Sequence, residues 1–422
     1  MEISFYKIKS IFILVFIFLI SLYLFTNQIQ PNNEYLGIKS IEFDFRFFVC
    51  LIFNFILINL FISYKNTISI NFINLYLFFV VMWFFIFFDL VGKIDFQTYI
   101  LLNTLTFIPI LFFYLRKYIR VLFEKFEINI YKLNILYFIN LNILLSTLLL
   151  FTLLVMTIKM PLEFGFDSAY ERRTLGYEVI TGAYAYLFSI CMNGIAPYLA
   201  FLSILRRKYL YFILSFVFVI FCFGFIGVKA PILYVCFFAF LGFSIRRVDF
   251  NLSYFILKLV FFILVFSIIE YWLFNFSWIA DIIVRRAFVV VAQNQLYFID
   301  YFLNYFDFYD WLFGKSGNIT YIIGDTYHNI PNTNANVNAL LYEIGRNRIL
   351  GYIIMLLFLL FFFSFLDYIY FKYNNKDILG IGILYIILLL EQSYSTAFIT
   401  SGIFVITILT FLTINNKEYD AK

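Results

Sequence analysis

The chain has 422 residues, of which 64% are hydrophobic and 13% charged, and its mean hydropathy is +0.94. With 63 Phe and 34 Tyr it carries more apolar surface than a soluble core can bury, so much of it must face lipid. The net charge of +5 is small for this length, and no basic run is long enough to track nucleic acid. The four cysteines, Cys50, Cys191, Cys222 and Cys236, fall in apolar runs without CxxC spacing and read as buried thiols.

The N-terminal MEISFYKIKS and the apolar run to Phe25 resemble a secretory signal, but only TNQIQPNN follows, so the segment reads as a retained first span. A helix needs about 20 apolar residues to cross the hydrocarbon core, and the chain offers about twelve such stretches. They lie near 10–26, 43–63, 70–88, 99–115, 134–158, 180–205, 209–227, 230–245, 254–274, 349–371, 378–392 and 395–413. The expected fold is an all-α polytopic membrane protein, a single integral domain over 1–422. No internal repeat is visible, which argues against an inverted-repeat transporter. With the N-terminus inside, about 18 of the Lys and Arg fall on inner segments. The short connections 116–132, 206–208 and 246–247 are basic, which predicts both termini in the cytoplasm.

Two predicted outer segments stand out, because long loops in compact proteins are usually functional. One is 159–179, KMPLEFGFDSAYERRTLGYEV; the other is 275–348, which reads as helix from Trp278 to Tyr309 before GKSGN breaks it. In the first, Ser168 is placed to cap a short helix carrying Glu171, Arg172 and Arg173, with Asp167 and Glu171 near enough to neutralise one arginine. In the second, Asp281 lies one turn before Arg285 and is placed to pair with it. Arg286, Gln293 and Tyr297 share one helical face by spacings of seven and four, a cation, an amide and an aromatic ring for a sugar phosphate. Snorkelling of the arginines to lipid headgroups is the plainer reading. Tyr297, Tyr301, Tyr305 and Tyr309 form a stripe suited to sugar faces or to the membrane interface.

Lys229, in FGFIGVKAPIL, requires polar partners or an outer hairpin, and Gly224, Gly227 and Pro231 allow the backbone to turn there. His328 is the single histidine, with Asp325 nearby; it suits a base but cannot build a zinc site, with no second His or Cys pair available. Glu42 and Asp44 form a short acidic pair. There is no Gly-rich phosphate loop, nucleophile elbow or nucleotide-binding unit, so neither a cofactor nor a metal is called for.

The order of these features resembles the O-antigen (Wzy-type) oligosaccharide repeat-unit polymerases. The resemblance rests on the outer R-R-T-L-G, the G-V-K-A-P hairpin, R-R-A-F entering a Tyr-rich amphipathic helix, and N-A-N-V-N-A-L-L-Y-E-I-G before the next span, and covers roughly 159–371. It implies a glycosyltransferase of the bacterial inner membrane, with a large periplasmic loop over 275–348. Such an enzyme moves a growing glycan from undecaprenyl pyrophosphate onto a new lipid-linked unit. The implied partners are the lipid-linked donor and acceptor, membrane lipid, a chain-length regulator and a flippase. In the related ligases an H-N-x-x-L-type motif precedes the following span; here the matching stretch starts at Asn338 with no histidine, which favours polymerase over ligase.

On this reading Arg173, Arg285 and Arg286 bind the pyrophosphate and stabilise its charge as it leaves. Arg172, Lys229, Gln293, Tyr297, His328 and Glu343 serve as further substrate-binding candidates. The acceptor base is drawn from Glu171, Asp325, His328 and Glu343. A lipid-linked oligosaccharide flippase and a polyprenyl-phosphate glycosyltransferase built on Glu42 and Asp44 stay open beside it.

Overall fold

A computed structural model describes residues 2–34, 67–82, 96–126, 139–165, 168–246, 251–305, 307–328 and 334–413, together with positions 38, 40 and 48. The candidate carboxylates Glu42, Asp44 and Asp167 lie outside the described residues, as does the expected span at 43–63 apart from position 48. The first helices are α1 (Glu2–Leu24, carried on through Phe25–Ile29 and Gln30–Asn32), α2 (Ile68–Tyr76), α3 (Phe96–Phe113), α4 (Arg116–Lys125) and α5 (Leu141–Lys159). Next come α6 (Ala169–Val179), α7 (Gly182–Ser189, through Ile190–Ile195 to Ala196–Leu205), α8 (Tyr209–Ile226), α9 (Ala230–Ile245) and α10 (Leu252–Phe274). Then follow α11 (Ala280–Tyr305), α12 (Phe308–Phe313), α13 (Ile319–His328), α14 (Ala339–Tyr373), α15 (Lys376–Leu389) and α16 (Ile403–Thr413). No strand occurs among the described residues.

Seven of these helices, α1, α5, α7, α8, α10, α11 and α14, are long and apolar enough to cross a membrane. The sequence predicts about twelve spans; α2, α9 and α16 are apolar but shorter. The clearest departure is α11. It falls inside the segment expected to be an outer loop, yet by length and composition it matches the spanning helices, and most of it is buried. Its apolar residues surround the Asp281–Arg285 pair, which satisfies two charges within the helix and so lets an otherwise apolar segment carry them. α14 begins well before the predicted span at 349–371, but its regular helix breaks at Arg348 (φ 59°, ψ −160°), where that span was expected to start.

Asparagine starts many of these helices. Its side-chain oxygen accepts a free backbone N–H at Asn140 (3.0 Å), Asn251 (2.9 Å), Asn338 (3.1 Å) and Asn375 (2.8 Å), meeting donors that an apolar medium cannot. Along α5 one stripe of Leu141, Leu145, Leu149, Thr152 and Met156 is buried, while Leu150, Phe151, Leu154 and Ile158 are exposed, Ile158 at 76%. A helix apolar on its outward face as well as its inward one requires lipid, not water, beside it.

The chain packs as two compact units, each drawn from separate stretches. The first combines residues 1–119, 251–364 and 389–393. Its centre is aromatic: Phe72 lies 4.7 Å from Phe113 and 5.1 Å from Phe363, and the Tyr352 hydroxyl donates to the Leu105 carbonyl at 2.7 Å. The second combines residues 120–250, 365–388 and 394–422. Here α7 is the core element, and glycine permits close approach: a Cβ on Gly242 would strike the Phe201 carbonyl, and one on Gly194 the Ser401 carbonyl. Ser215 ties α8 to α7 through the Ala196 carbonyl at 2.6 Å.

Candidate functional site

In the first unit, α11, α13 and the start of α14 are held tightly together. Gly345 sits against Phe298 of α11 and Ile319 of α13, with no room for a side chain without displacing them. On this frame a polar cluster forms around α11. The Gln293 amide donates to the Tyr297 hydroxyl at 2.7 Å, and both residues are buried. The Tyr297 ring stacks on Tyr327 at 4.6 Å and meets His328 edge-on at 5.3 Å. Tyr327 donates to the Asp300 carboxylate at 2.6 Å. Burial, with that carboxylate beside it, pushes the Tyr327 hydroxyl well up, so it stays a neutral donor.

The histidine's protonation follows from its neighbours. Asn294 Nδ2 donates to the Asn336 carbonyl at 2.9 Å, and a carbonyl can only accept. The Asn294 Oδ1 therefore faces His328 Nε2, 3.0 Å away, and Nε2 must carry a proton. In the neutral ring Nδ1 is then the lone-pair nitrogen. Burial lowers the His328 pKa below its ordinary 6.5, so the neutral form prevails at neutral pH. A neutral imidazole of fixed tautomer, beside stacked aromatic rings, is suited to take a proton from a sugar hydroxyl. The tyrosine stripe runs outward from it: Tyr301 stacks on Tyr305 at 4.5 Å, and Tyr305 and Tyr309 are exposed.

The arginines of α11 behave differently from one another. Asp281 receives two bonds from Arg285, at 2.7 and 3.1 Å, as the spacing of four predicts. Arg286 is exposed, whereas Gln293 and Tyr297 are buried, so the single face expected to hold all three is not formed. The reason is local: Ala280–Val289 is wound as a π-helix, whose wider turn shifts Arg286 out of the register that an α-helix would give. Glu343 is 2% exposed and accepts from Asn347 at 2.6 Å within the start of α14. Asp325 is exposed on α13.

Sequence reasoning missed Arg346 and Arg348, though the glycine-flanked GRNRILG was a visible signal. Arg346 donates to the Tyr342 hydroxyl at 3.0 Å; Arg348, 2% exposed, donates to the Gly345 carbonyl. The segment Gly314–Ser316 closes over this break, with Ser316 bonding the Arg346 and Gly345 carbonyls, each at 3.0 Å. Asn294, Asp300 and Tyr327 were also missed, since their partners lie 27 to 42 residues away in sequence.

The second unit holds the other candidates. Gly227, at φ +66°, ends α8 in the left-handed conformation, and the turn of 227–229 leads to Lys229, exposed at the start of α9. α6 packs over this turn so closely that a Cβ on Gly227 would meet the Ala169 backbone. Arg172 is 4% exposed and donates to Ser168 Oγ at 2.5 Å and the Gly165 carbonyl at 2.6 Å, its guanidinium 5.7 Å from the Phe223 ring. Its hydrogen-bond partners are neutral, and it holds its own loop closed. Ser168, expected to cap α6, makes no side-chain cap because its hydroxyl serves Arg172 instead. Arg173 is half-buried and Glu171 exposed. No group of three or more His, Cys, Asp or Glu placed to hold a metal occurs among the described residues.

No family model, curated protein or solved structure matches the chain.

Proposed function

We propose that the chain is a membrane glycosyltransferase that polymerises undecaprenyl-pyrophosphate-linked oligosaccharide repeat units into O-antigen or capsular polysaccharide. On this reading it works at the periplasmic face of the bacterial inner membrane. The observation that carries the proposal is the His328 constellation: a neutral imidazole of fixed tautomer at the end of α13, flanked by the stacked rings of Tyr327 and of Tyr297, the latter on α11, the helix that also carries the arginine pair.

In the reaction, an acceptor sugar hydroxyl attacks the anomeric carbon of the donor glycan. The new C–O bond forms as the bond to pyrophosphate breaks, and undecaprenyl pyrophosphate leaves. His328 Nδ1 takes the hydroxyl proton. Arg286, exposed on α11, offers a forked pair of donors to the departing phosphate, and Arg285 adds positive charge from its place beside Asp281. Confinement of both lipid-anchored substrates to one membrane surface supplies much of the positioning.

The genetic test is a deletion in the bacterium that carries the gene, with surface glycan resolved on a gel. A polymerase deletion leaves single repeat units. Absence of any lipid-linked unit from the outer face would mark a flippase, and unattached polymer would mark a ligase; either outcome sinks the proposal.

A further inference from the structure

The second unit gathers basic residues at the end where the 206–208 turn, the end of α9 and the start of α15 meet. Arg206 bonds Asp377 at 2.5 Å, and Lys376 donates to the Ile245 carbonyl at 3.0 Å, which fixes these three segments beside one another. Those two cations are accounted for by a carboxylate and a helix C-terminus. Three more are not. Arg207 and Lys208 follow α7 directly, and Arg246 follows α9; no ion pair involves them among the described residues.

The local construction favours an anion at this place. Arg207 is exposed and sits in the left-handed region (φ 59°), where glycine would be easier to accommodate, within a turn pinned by the Lys208 N–H to the Ser203 carbonyl at 2.7 Å. Arg246 keeps Nε and Nη2 buried with no hydrogen-bond partner. Asn375 is 1% exposed; its Oδ1 caps α15 at 2.8 Å, and its Nδ2 donor is likewise without a partner. Unmet donors beside cations are what a phosphate oxygen relieves. Exposed apolar side chains stand next to them: Tyr209 and Leu210 begin α8, and Phe243 lies one turn before Arg246. Cations edged by outward apolar surface suit a phosphate that carries acyl chains better than one that does not.

We infer that the basic end formed by Arg207, Lys208 and Arg246 binds the phosphate headgroup of an anionic phospholipid, whose acyl chains lie along Tyr209, Leu210 and Phe243. The inference stands apart from the proposed polymerase activity. It concerns a resident lipid, and the experiment needs no glycan substrate.

The purified full chain is equilibrated with phosphatidylglycerol or phosphatidylcholine, and the lipid it retains is counted by native mass spectrometry. The wild type should retain phosphatidylglycerol in preference. Arg207→Gln alone should lower that affinity about fivefold, and the triple change Arg207→Gln, Lys208→Gln, Arg246→Gln about a hundredfold. Retention of phosphatidylcholine should be unchanged, which shows that the variants are folded. Equal retention of both lipids by the wild type overturns the inference, as does a triple variant that keeps the preference. Glycerol 3-phosphate that displaces phosphatidylglycerol at equal concentration also overturns it, by assigning the site to a soluble phosphate.

Discussion

Gln28 grips Ser277 by both of its backbone groups: Nε2 donates to the Ser277 carbonyl at 2.8 Å, and the Ser277 N–H donates to Oε1 at 2.9 Å. Glu270 completes the arrangement by accepting from Ser277 Oγ at 2.7 Å and the Ile279 N–H at 3.1 Å. A side chain from the first helix thus fixes the entry of α11, 249 residues later, and a carboxylate neutralises the exposed donors of its first turn. The arginine pair of α11 starts from this anchor.

Removing the anchor should loosen α11. Gln28→Ala leaves two backbone groups of a fully buried residue without partners, at a cost of about 1–3 kcal/mol for each. Thermal unfolding in detergent should show a lower midpoint, and hydrogen exchange at the start of α11 should quicken. An unchanged midpoint with unchanged exchange would mean that this end of α11 is held by something else.

The two arginines should separate on substitution. Arg286→Lys keeps the charge but loses the fork, and should cost about a hundredfold to a thousandfold in polymerisation at unchanged protein level. Arg285→Lys should cost less, because Asp281 already holds that side chain back from substrate. Polymer of normal amount and length from Arg286→Lys would mark that residue as a membrane anchor, since lysine snorkels equally well.

Arg172 should behave as a structural residue. Its guanidinium closes the loop from Gly165 to Ser168, so Arg172→Ala should lower the amount of folded protein, not the rate per molecule. Membrane protein level and activity, measured together, check this. Normal level with lost activity would return Arg172 to the pyrophosphate.

Acid should act through His328. Its pKa is lowered by burial, so between the folded value and 6.5 the unfolded chain binds more protons than the folded one. The stability that this group contributes is present above pH 6.5 and is lost as pH falls through that value toward the folded one. Activity that depends on the neutral ring should persist lower, falling only below the depressed value. His328→Gln should abolish turnover and also remove the corresponding acid-induced loss of stability. An acid limb to unfolding that survives in His328→Gln would place it on other groups.

How far the sequence could be read depended on the range of each contact. The Arg285–Asp281 pair and the Gln293–Tyr297 bond follow from a spacing of four on a helix, and both form. The turn at Gly227 was legible because only a glycine enters φ +66° without strain. The Arg286 face was misjudged because π-winding leaves no mark in a pattern counted at α-helical period. The tautomer of His328 was beyond reach, since it depends on Asn294, 34 residues away, and on the carbonyl of Asn336 behind it. Arg172 was read as facing substrate because nothing local shows that the Gly165 carbonyl returns to it.

Chain lengthening can be watched in a reconstituted system. The purified chain is placed in lipid vesicles with a single kind of undecaprenyl-pyrophosphate-linked repeat unit, and the products are resolved by length. A polymerase yields a ladder rising one repeat unit at a time, with one undecaprenyl pyrophosphate released per bond, and no ladder from His328→Gln. Wild-type protein that carries the lipid-linked unit across the bilayer without lengthening it would be a transporter and not a polymerase.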